Sequence, residues 1–142
     1  MWSSSEPIYE TTAQSTAKAW RERHGRYRLV GVFCETCDMK YYPRRAVCPK
    51  CRSRNLISVE LSQRGKVVSI AWDYSPLMGY GELIPNLRAL IQLEDHGPCV
   101  QGDIIEYGSK EVKEGTPVEA VVRKLKREKN GNYLYGTKFR PI

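Results

Sequence analysis

The 142-residue sequence is poor in histidine, the side chain most often used for general acid–base catalysis, and it has no long apolar run. It contains two histidines, His24 and His96, at positions typical of a helix end and a polar turn. No stretch approaches the roughly 18 to 20 apolar residues of a membrane span, and no basic start followed by an apolar segment marks the N-terminus. A glycine-rich phosphate loop and internal repeats are also absent. We therefore expect a protein that is not an enzyme, has no membrane association and is cytoplasmic.

The charge balance is basic, with a formal net charge of +7. Such a surplus favours anionic partners, including nucleic acid, phosphates and phosphorylated cofactors, without choosing among them. The basic residues are concentrated at 44–54 and 123–129. Charge runs of this kind usually face water, so neither run by itself indicates a site.

Four of the five cysteines form two Cys-x-x-Cys pairs, Cys34 with Cys37 and Cys48 with Cys51. Two intervening residues let both sulfurs of a pair turn toward one ion, and a short hairpin brings the second pair round to complete a tetrahedron. Four thiolates leave no open coordination position, so the pattern predicts a structural zinc site. Iron in a rubredoxin-like site, two disulfides and a redox Cys-x-x-Cys remain as alternatives. Cys99 has no partner.

The segment before the first cysteine pair predicts a helix over residues 9–24 that closes at Gly25. Its modest apolar stripe needs a partner surface, either on this chain or on another protein. The stripe comprises Ile8, Tyr9, Thr12, Ala13, Thr16, Ala19 and Trp20. Short strands at 27–33 and 40–43 then enclose the first cysteine pair, as in a zinc ribbon.

The sequence after Cys51 alternates between β-rich runs and turn residues. A short run at 56–61 precedes five main strands at 65–74, 87–93, 99–105, 117–126 and 133–139, with a hairpin turn expected at Asn130-Gly131. Five strands in this length predict a small barrel of the OB-fold type. The expected fold is therefore mostly β with an N-terminal helical segment (1–26), a rubredoxin-like zinc ribbon (27–55) and a five-stranded OB-fold barrel (56–142).

The first barrel strand and the loop after it carry the candidate ligand-binding residues. Alternation places Val68, Ile70, Trp72 and Tyr74 on one face of the strand. The loop at 75–86 contains further apolar residues, which form either one wall of a groove or a lid on the core.

The arrangement resembles the family of acyl-CoA-associated zinc-ribbon/OB-fold proteins, long catalogued as a domain of unknown function. The likeness covers nearly the whole chain and is carried by segments 31–37, 41–44, 48–51, 65–69, 84–93 and 100–102. The closing segments 115–118, 122–124 and 135–141 resemble archaeal members in particular.

This resemblance implies a non-catalytic scaffold that helps to hold a CoA thioester while it passes between partner active sites. Relatives of this kind are encoded beside thiolases, and archaeal ones bridge acetoacetyl-CoA thiolase and hydroxymethylglutaryl-CoA synthase at the entry to the mevalonate pathway. The expected ligands are structural Zn²⁺ and CoA or acyl-CoA. As a hypothesis, Trp72, Tyr74, Met78 and Tyr80 line an apolar groove for the pantetheine arm. Candidates for contact with the CoA phosphates are Arg88, Lys138 and Arg140.

Binding of single-stranded nucleic acid is the rival hypothesis, because OB barrels and zinc ribbons also perform this role. Trp72, Tyr74, Tyr133 and Tyr135 are the candidates for a base-stacking platform. Against it, Trp72 and Tyr74 share a face with Val68 and Ile70, which predicts burial in the core. A third hypothesis is an adaptor that binds no ligand and contacts its partner enzymes through the N-terminal helix and the 75–86 loop.

Overall fold

The computed structural model describes residues 16–75, 85–108, 111–127 and 133–142. The elements follow one another in a single order: one helix, three short strands and five longer strands. They are α1 (Thr16–Arg28), β1 (Val30–Cys34), β2 (Met39–Tyr41), β3 (Leu56–Glu60), β4 (Arg64–Asp73), β5 (Asn86–Leu93), β6 (Cys99–Ile104), β7 (Pro117–Arg127) and β8 (Tyr133–Pro141). Within the described segments, no helix has the length and hydropathy needed to cross a membrane.

Helix α1 ends later than the sequence predicted. Residues 9–15 lie outside the described residues, but Gly25 lies inside the helix and does not close it. The left-handed residue after the helix is Leu29, with φ of 53° and a fully buried side chain. Burial of a leucine side chain stabilises the folded state by roughly 1.5 to 3 kcal/mol. This gain offsets the cost of the left-handed conformation, which is about 1 to 2 kcal/mol. The predicted strand at 27–33 is accordingly wrong at its start, because Tyr27 and Arg28 are helical.

The three short strands form an antiparallel sheet in the order β2-β1-β3. Strand β3 pairs with β1 along its full length, from Val30 opposite Glu60 to Cys34 opposite Leu56. By strand pairing, β3 therefore belongs with the ribbon rather than with the barrel. The domain division at 55/56 stays a prediction.

The five longer strands close into a barrel in the order β4-β5-β6-β8-β7, which confirms the predicted OB-fold architecture. Four of the pairings are antiparallel, and β6 with β8 is parallel, where Ile104 lies opposite Phe139. Alternate side chains of β5 point inward, as the period of two requires. The expected Asn130-Gly131 turn lies outside the described residues.

Of the four β4 residues predicted to share a buried face, Ile70 packs against the core, whereas Val68, Trp72 and Tyr74 are exposed. A β-bulge accounts for Val68. The register shifts between Val67, which is buried opposite Ile91, and Ser69, so Val68 is the extra residue and is exposed. Beyond the bulge, Trp72 lies opposite the buried Leu87, on the inward side of the sheet. It sits near the end of the strand, where 47% of its surface remains exposed.

One hydrophobic core joins the ribbon to the barrel. Leu29, which follows α1, and Leu61, which follows β3, are buried in the same cluster as the barrel residue Phe139. The last turn of α1 is held by two hydroxyl groups: Thr137 donates to the carbonyl of Arg26 at 2.6 Å, and Tyr42 donates to that of Gly25 at 3.3 Å. These carbonyls have no partner within the helix itself, so the barrel and the ribbon together complete its C-terminal end.

Candidate functional site

Two backbone turns of the same geometry present the four thiols of the metal centre. The amide of Asp38 donates to the carbonyl of Cys34, and that of Arg52 donates to the carbonyl of Cys48, both at 2.9 Å. Asp38 and Arg52 have φ values of 54° and 58°, so each Cys-x-x-Cys pair is followed by a left-handed residue. The equal geometry turns both thiols of each pair toward the space between the two turns.

The sulfur distances match those of a tetrahedral metal site. All four Sγ atoms lie within 4.8 Å of one another, with Cys34 and Cys51 at 3.6 Å and Cys37 and Cys48 at 4.0 Å. A Zn–S bond of about 2.3 Å sets the edge of a regular tetrahedron at about 3.8 Å. Cys34, Cys37, Cys48 and Cys51 therefore fit the predicted zinc, and the closed set of four thiolates makes the site structural rather than catalytic.

The surroundings of Cys48 favour its thiolate form. Burial opposes ionisation, but the backbone amides of Cys51 and Lys50 and the Tyr41 hydroxyl lower the pKa of Cys48 to about 6. The Tyr41 oxygen lies 3.5 Å from Cys48 Sγ, and this contact raises the pKa of Tyr41. Hydrogen bonds to a metal-bound sulfur of this kind orient the ligand, so Tyr41 supports the metal centre from outside its coordination sphere. From the sequence, Tyr41 belongs to a short strand and to segment 41–44 of the family resemblance, with no role expected at the metal.

Two of the predicted groove residues lie together at one end of the barrel. Trp72 makes an edge contact with Tyr107, with ring centroids 6.2 Å apart and planes at 81°. Tyr74, one residue beyond β4, is 71% exposed. Met78 and Tyr80 lie outside the described residues. Sequence reasoning missed Tyr107, because nothing in the pattern after β6 indicated that this residue turns toward β4.

The three residues predicted to contact phosphate are all in ion pairs. Arg88 lies 3.2 Å from Asp73 and 3.9 Å from Asp103. Lys138 is buried, 3.7 Å from the equally buried Asp103. The two carboxylates lie on β4 and β6, and their pairing with Arg88 was not visible in the sequence.

Arg140 bridges Glu119 at 2.6 Å and Glu106 at 3.5 Å, and Glu106 also accepts a hydrogen bond from Arg123 at 2.7 Å. The Arg123 bond lowers the pKa of Glu106, so the network is charged at neutral pH. A phosphate group would have to compete with these carboxylates. Contact of Arg88, Lys138 and Arg140 with the CoA phosphates therefore stays a prediction. Their ion pairs disfavour it, most strongly for the buried Lys138.

Cys99 is not an activated nucleophile. Its thiol donates a hydrogen bond to Gln92 Oε1 at 3.1 Å, and burial raises the pKa of the thiol. A reactive cysteine needs the opposite, a depressed pKa beside a cation or a helix N-terminus.

The β7–β8 hairpin carries a second group of exposed aromatic residues. Tyr133 and Tyr135 are about half exposed, and the Lys124 ammonium lies 4.6 Å from the centre of the Tyr133 ring. Lys124 is also directly opposite Tyr135 in the strand register. One lysine thus lies beside two tyrosines on this pair of strands.

Fold and site together define a zinc-ribbon/OB-fold protein. Two family models match in succession: the rubredoxin-like zinc ribbon domain of ChsH2 over residues 22–56 and its C-terminal OB-fold domain over 58–123. A DUF35 domain-containing scaffold protein of Pyrococcus furiosus is 39% identical, covering 89% of this chain and 92% of the relative. Its counterpart in Methanocaldococcus jannaschii is 35% identical, covering 88% and 89%. The chain therefore belongs to the former DUF35 family, and relatives of this length are named scaffold proteins.

A more distant relative is named for an enzyme complex. The benzoylsuccinyl-CoA thiolase subunit BbsA of Thauera aromatica is 29% identical, covering 80% of this chain and 76% of the relative. Among solved structures, the Ltp2-ChsH2(DUF35) aldolase matches with a TM-score of 0.66 and 24% identity, covering 94% of this chain and 98% of that chain. A DUF35 protein of unknown function from Sulfolobus solfataricus matches with a TM-score of 0.52 and 17% identity, covering 95% and 90%. These structural matches establish the shared fold.

Proposed function

We propose that this protein is a non-catalytic scaffold that associates with thiolase-type enzymes and binds an acyl-CoA at the Trp72 end of the barrel. The observation that carries the proposal is the similarity, over nearly the full chain, to proteins named as scaffolds. The relative named as a thiolase subunit supports the choice of partner. Neither the closed metal centre nor Cys99, whose thiol pKa burial raises, offers an activated group for catalysis at these two positions.

The proposed partners are acetoacetyl-CoA thiolase and hydroxymethylglutaryl-CoA synthase, which would place the protein at the entry to the mevalonate pathway. The thiolase condensation is uphill, so rapid capture of its product by the next enzyme pulls the reaction forward. A shared site that retains the CoA handle keeps the thioester near the second active site and raises its effective concentration there.

The barrel end offers apolar and aromatic surface for the pantetheine arm. Trp72, Tyr74 and Tyr107 lie beside the start of the 75–86 loop, which includes Met78 and Tyr80. Arg88 and Arg140 retain some exposure and can exchange a carboxylate partner for a phosphate, whereas Lys138 is too deeply buried to do so without displacement of its surroundings.

Recovery of the tagged protein from its native extract, with and without nuclease, tests the partner assignment. We expect a thiolase-type enzyme to be retained after nuclease treatment and to be identified by mass spectrometry. Recovery of only nucleic-acid-binding proteins, lost on nuclease treatment, would contradict the scaffold.

Acyl-CoA titration of the purified chain and of its complex tests the ligand assignment. Trp72→Ala should weaken acetoacetyl-CoA binding by about 10-fold, because an aromatic wall of the groove is lost. Tyr133→Ala removes an exposed aromatic side chain of another element and is the matched control, with unchanged acyl-CoA affinity. If the complex binds acyl-CoA equally well with Trp72→Ala, the groove is misplaced.

Single-stranded nucleic-acid binding is the alternative, favoured by the Lys124, Tyr133 and Tyr135 arrangement and by the exposure of Trp72. Fluorescence anisotropy with a labelled oligonucleotide tests it. Binding that falls steeply with salt and is weakened by Tyr135→Ala would replace the scaffold proposal, since stacked bases contribute roughly 1 to 3 kcal/mol each.

A further inference from the structure

Helix α1 is attached to the protein along one side and presents the other side to solvent. At 3.6 residues per turn, Trp20, Arg23, His24 and Tyr27 fall within an arc of about 100°, Gly25 lies on the opposite side, and Arg26 lies between the two. The opposite side leads into the buried Leu29, and the Gly25 and Arg26 carbonyls accept the hydroxyl hydrogen bonds of Tyr42 and Thr137. The direction in which the first arc faces is therefore set by contacts with both β8 and the ribbon.

The solvent-facing arc is rich in interface-type residues. Trp20 is 66% exposed and Tyr27 is 43% exposed. The Arg23 guanidinium stacks over the Trp20 ring, 3.8 Å from its centre, and donates to the Trp20 carbonyl. Tryptophan, tyrosine and arginine are the residues most enriched among binding hot spots. The stacking holds the indole and the guanidinium in one arrangement before any partner arrives, which reduces the entropy lost on binding.

The helix also has surplus positive charge. Its sequence contains five basic residues, Lys18, Arg21, Arg23, Arg26 and Arg28, against the single acidic residue Glu22. Arg26 pairs with Glu22 at 2.6 Å, and Arg28 lies 3.8 Å from Glu60. Among the described residues, no carboxylate forms an ion pair with Arg23. A surface that complements Arg23 must therefore bring its own negative charge, and a second copy of this cationic helix would be repelled.

We propose that the Trp20/Arg23/Tyr27 face of α1 is the docking surface for the thiolase-type partner, and that it binds an apolar slot rimmed by Asp or Glu side chains. The assignment rests on the proposed function and specifies which part of the scaffold carries the protein contact. Trp20 is the anchor that enters the slot, and Arg23 pairs with the acidic rim. The barrel end with Trp72 is then left for the ligand.

Binding of the purified chain to the purified thiolase-type enzyme, measured by calorimetry or surface plasmon resonance, tests this surface. Trp20→Ala and Arg23→Glu should each raise Kd by about 10-fold or more, as expected for hot-spot residues. Arg23→Lys, which keeps the charge and loses the planar stacking group, should give an intermediate loss. Tyr133→Ala is the matched control for an exposed aromatic on another element and should change Kd by less than about 2-fold.

Unchanged circular dichroism and thermal midpoints of the variants establish that α1 stays folded, which is expected because Trp20 is exposed. Wild-type affinity of both Trp20→Ala and Arg23→Glu would overturn the docking surface and leave the scaffold intact. Failure of the wild-type chain to bind the thiolase would overturn the scaffold itself. Loss of oligonucleotide binding in Trp20→Ala, with thiolase binding unchanged, would reassign the face to nucleic acid.

Discussion

Gly25 and Gly102 are two glycines whose surroundings differ sharply. A Cβ atom at Gly25 would have Val30 O as its nearest neighbour at 3.7 Å, an ordinary contact, within a helix. At Gly102 on β6 the added atom would lie 2.6 Å from the Phe139 ring. Gly25 lowers the helix propensity of α1, although no close contact requires a glycine there. Gly102 leaves room for Phe139, the largest fully buried side chain of the core.

Alanine at these two positions should therefore act in opposite directions. We expect Gly25→Ala to raise the free energy of unfolding by about 0.5 to 1 kcal/mol through helix propensity, and Gly102→Ala to lower it by about 1 to 3 kcal/mol through overpacking. Urea unfolding followed by circular dichroism measures both. A destabilising Gly25→Ala would contradict the position of this glycine inside α1.

At the scale of elements, two hydroxyl hydrogen bonds attach the last turn of α1 to the rest of the fold. Thr137 is almost fully buried, and its hydroxyl bonds to the last turn of the helix across 111 residues of sequence. Tyr42 makes the second such bond, and burial raises the pKa of Tyr42 to about 12, so its hydroxyl remains a donor at neutral pH. The helix thus connects to both the ribbon and the barrel.

Thr137→Val keeps the shape of the side chain and removes this donor. It should lower the free energy of unfolding by about 1 to 2 kcal/mol, because the Arg26 carbonyl loses its partner. Tyr42→Phe is the comparison, with a smaller loss expected for the longer bond. Hydrogen exchange at the last turn of α1 should accelerate in Thr137→Val, and protection equal to that of the wild type would show that the bond does not hold the helix.

At the scale of the whole molecule, the metal centre and the barrel are not independent. Leu29 and Leu61 flank the ribbon strands and lie in the barrel core. The destabilisation caused by loss of the metal should therefore extend to β8 and β4. A ribbon of three short strands buries little apolar area by itself, and zinc binding contributes roughly 10 to 16 kcal/mol in small zinc peptides.

Metal removal should therefore destabilise the whole chain. We expect a chelator, or Cys48→Ser, to lower the thermal midpoint markedly, and acid to release the metal because protons compete for the thiolates. Cys99→Ser is the matched control: it keeps the hydrogen bond to Gln92 and lies outside the site, so its midpoint and metal content should stay those of the wild type. Metal analysis should find zinc, whereas strong visible absorption would indicate iron.

Much of the architecture was predictable because its signals are local. The spacing of Cys34, Cys37, Cys48 and Cys51 is the spacing of two metal-binding turns, and the structure brings all four sulfurs together. The five barrel strands were predicted from their alternation and from the turn residues between them, and all five are present. The predicted end of α1 at Gly25 is wrong. The preference of glycine for a helix end is weaker than the stabilisation that the longer helix gains from burial of Leu29.

By itself, then, the sequence determined the ligands of the metal and the number and approximate positions of the barrel strands, because both depend on residues close together in the chain. Only the tertiary structure decided which strand faces are buried and which basic side chains are already engaged in ion pairs. One bulge turned Val68 away from the core, and cross-strand carboxylates paired with Arg88, Lys138 and Arg140. Such pairings depend on strand register and barrel closure, which bring together side chains that periodicity along a single strand cannot relate.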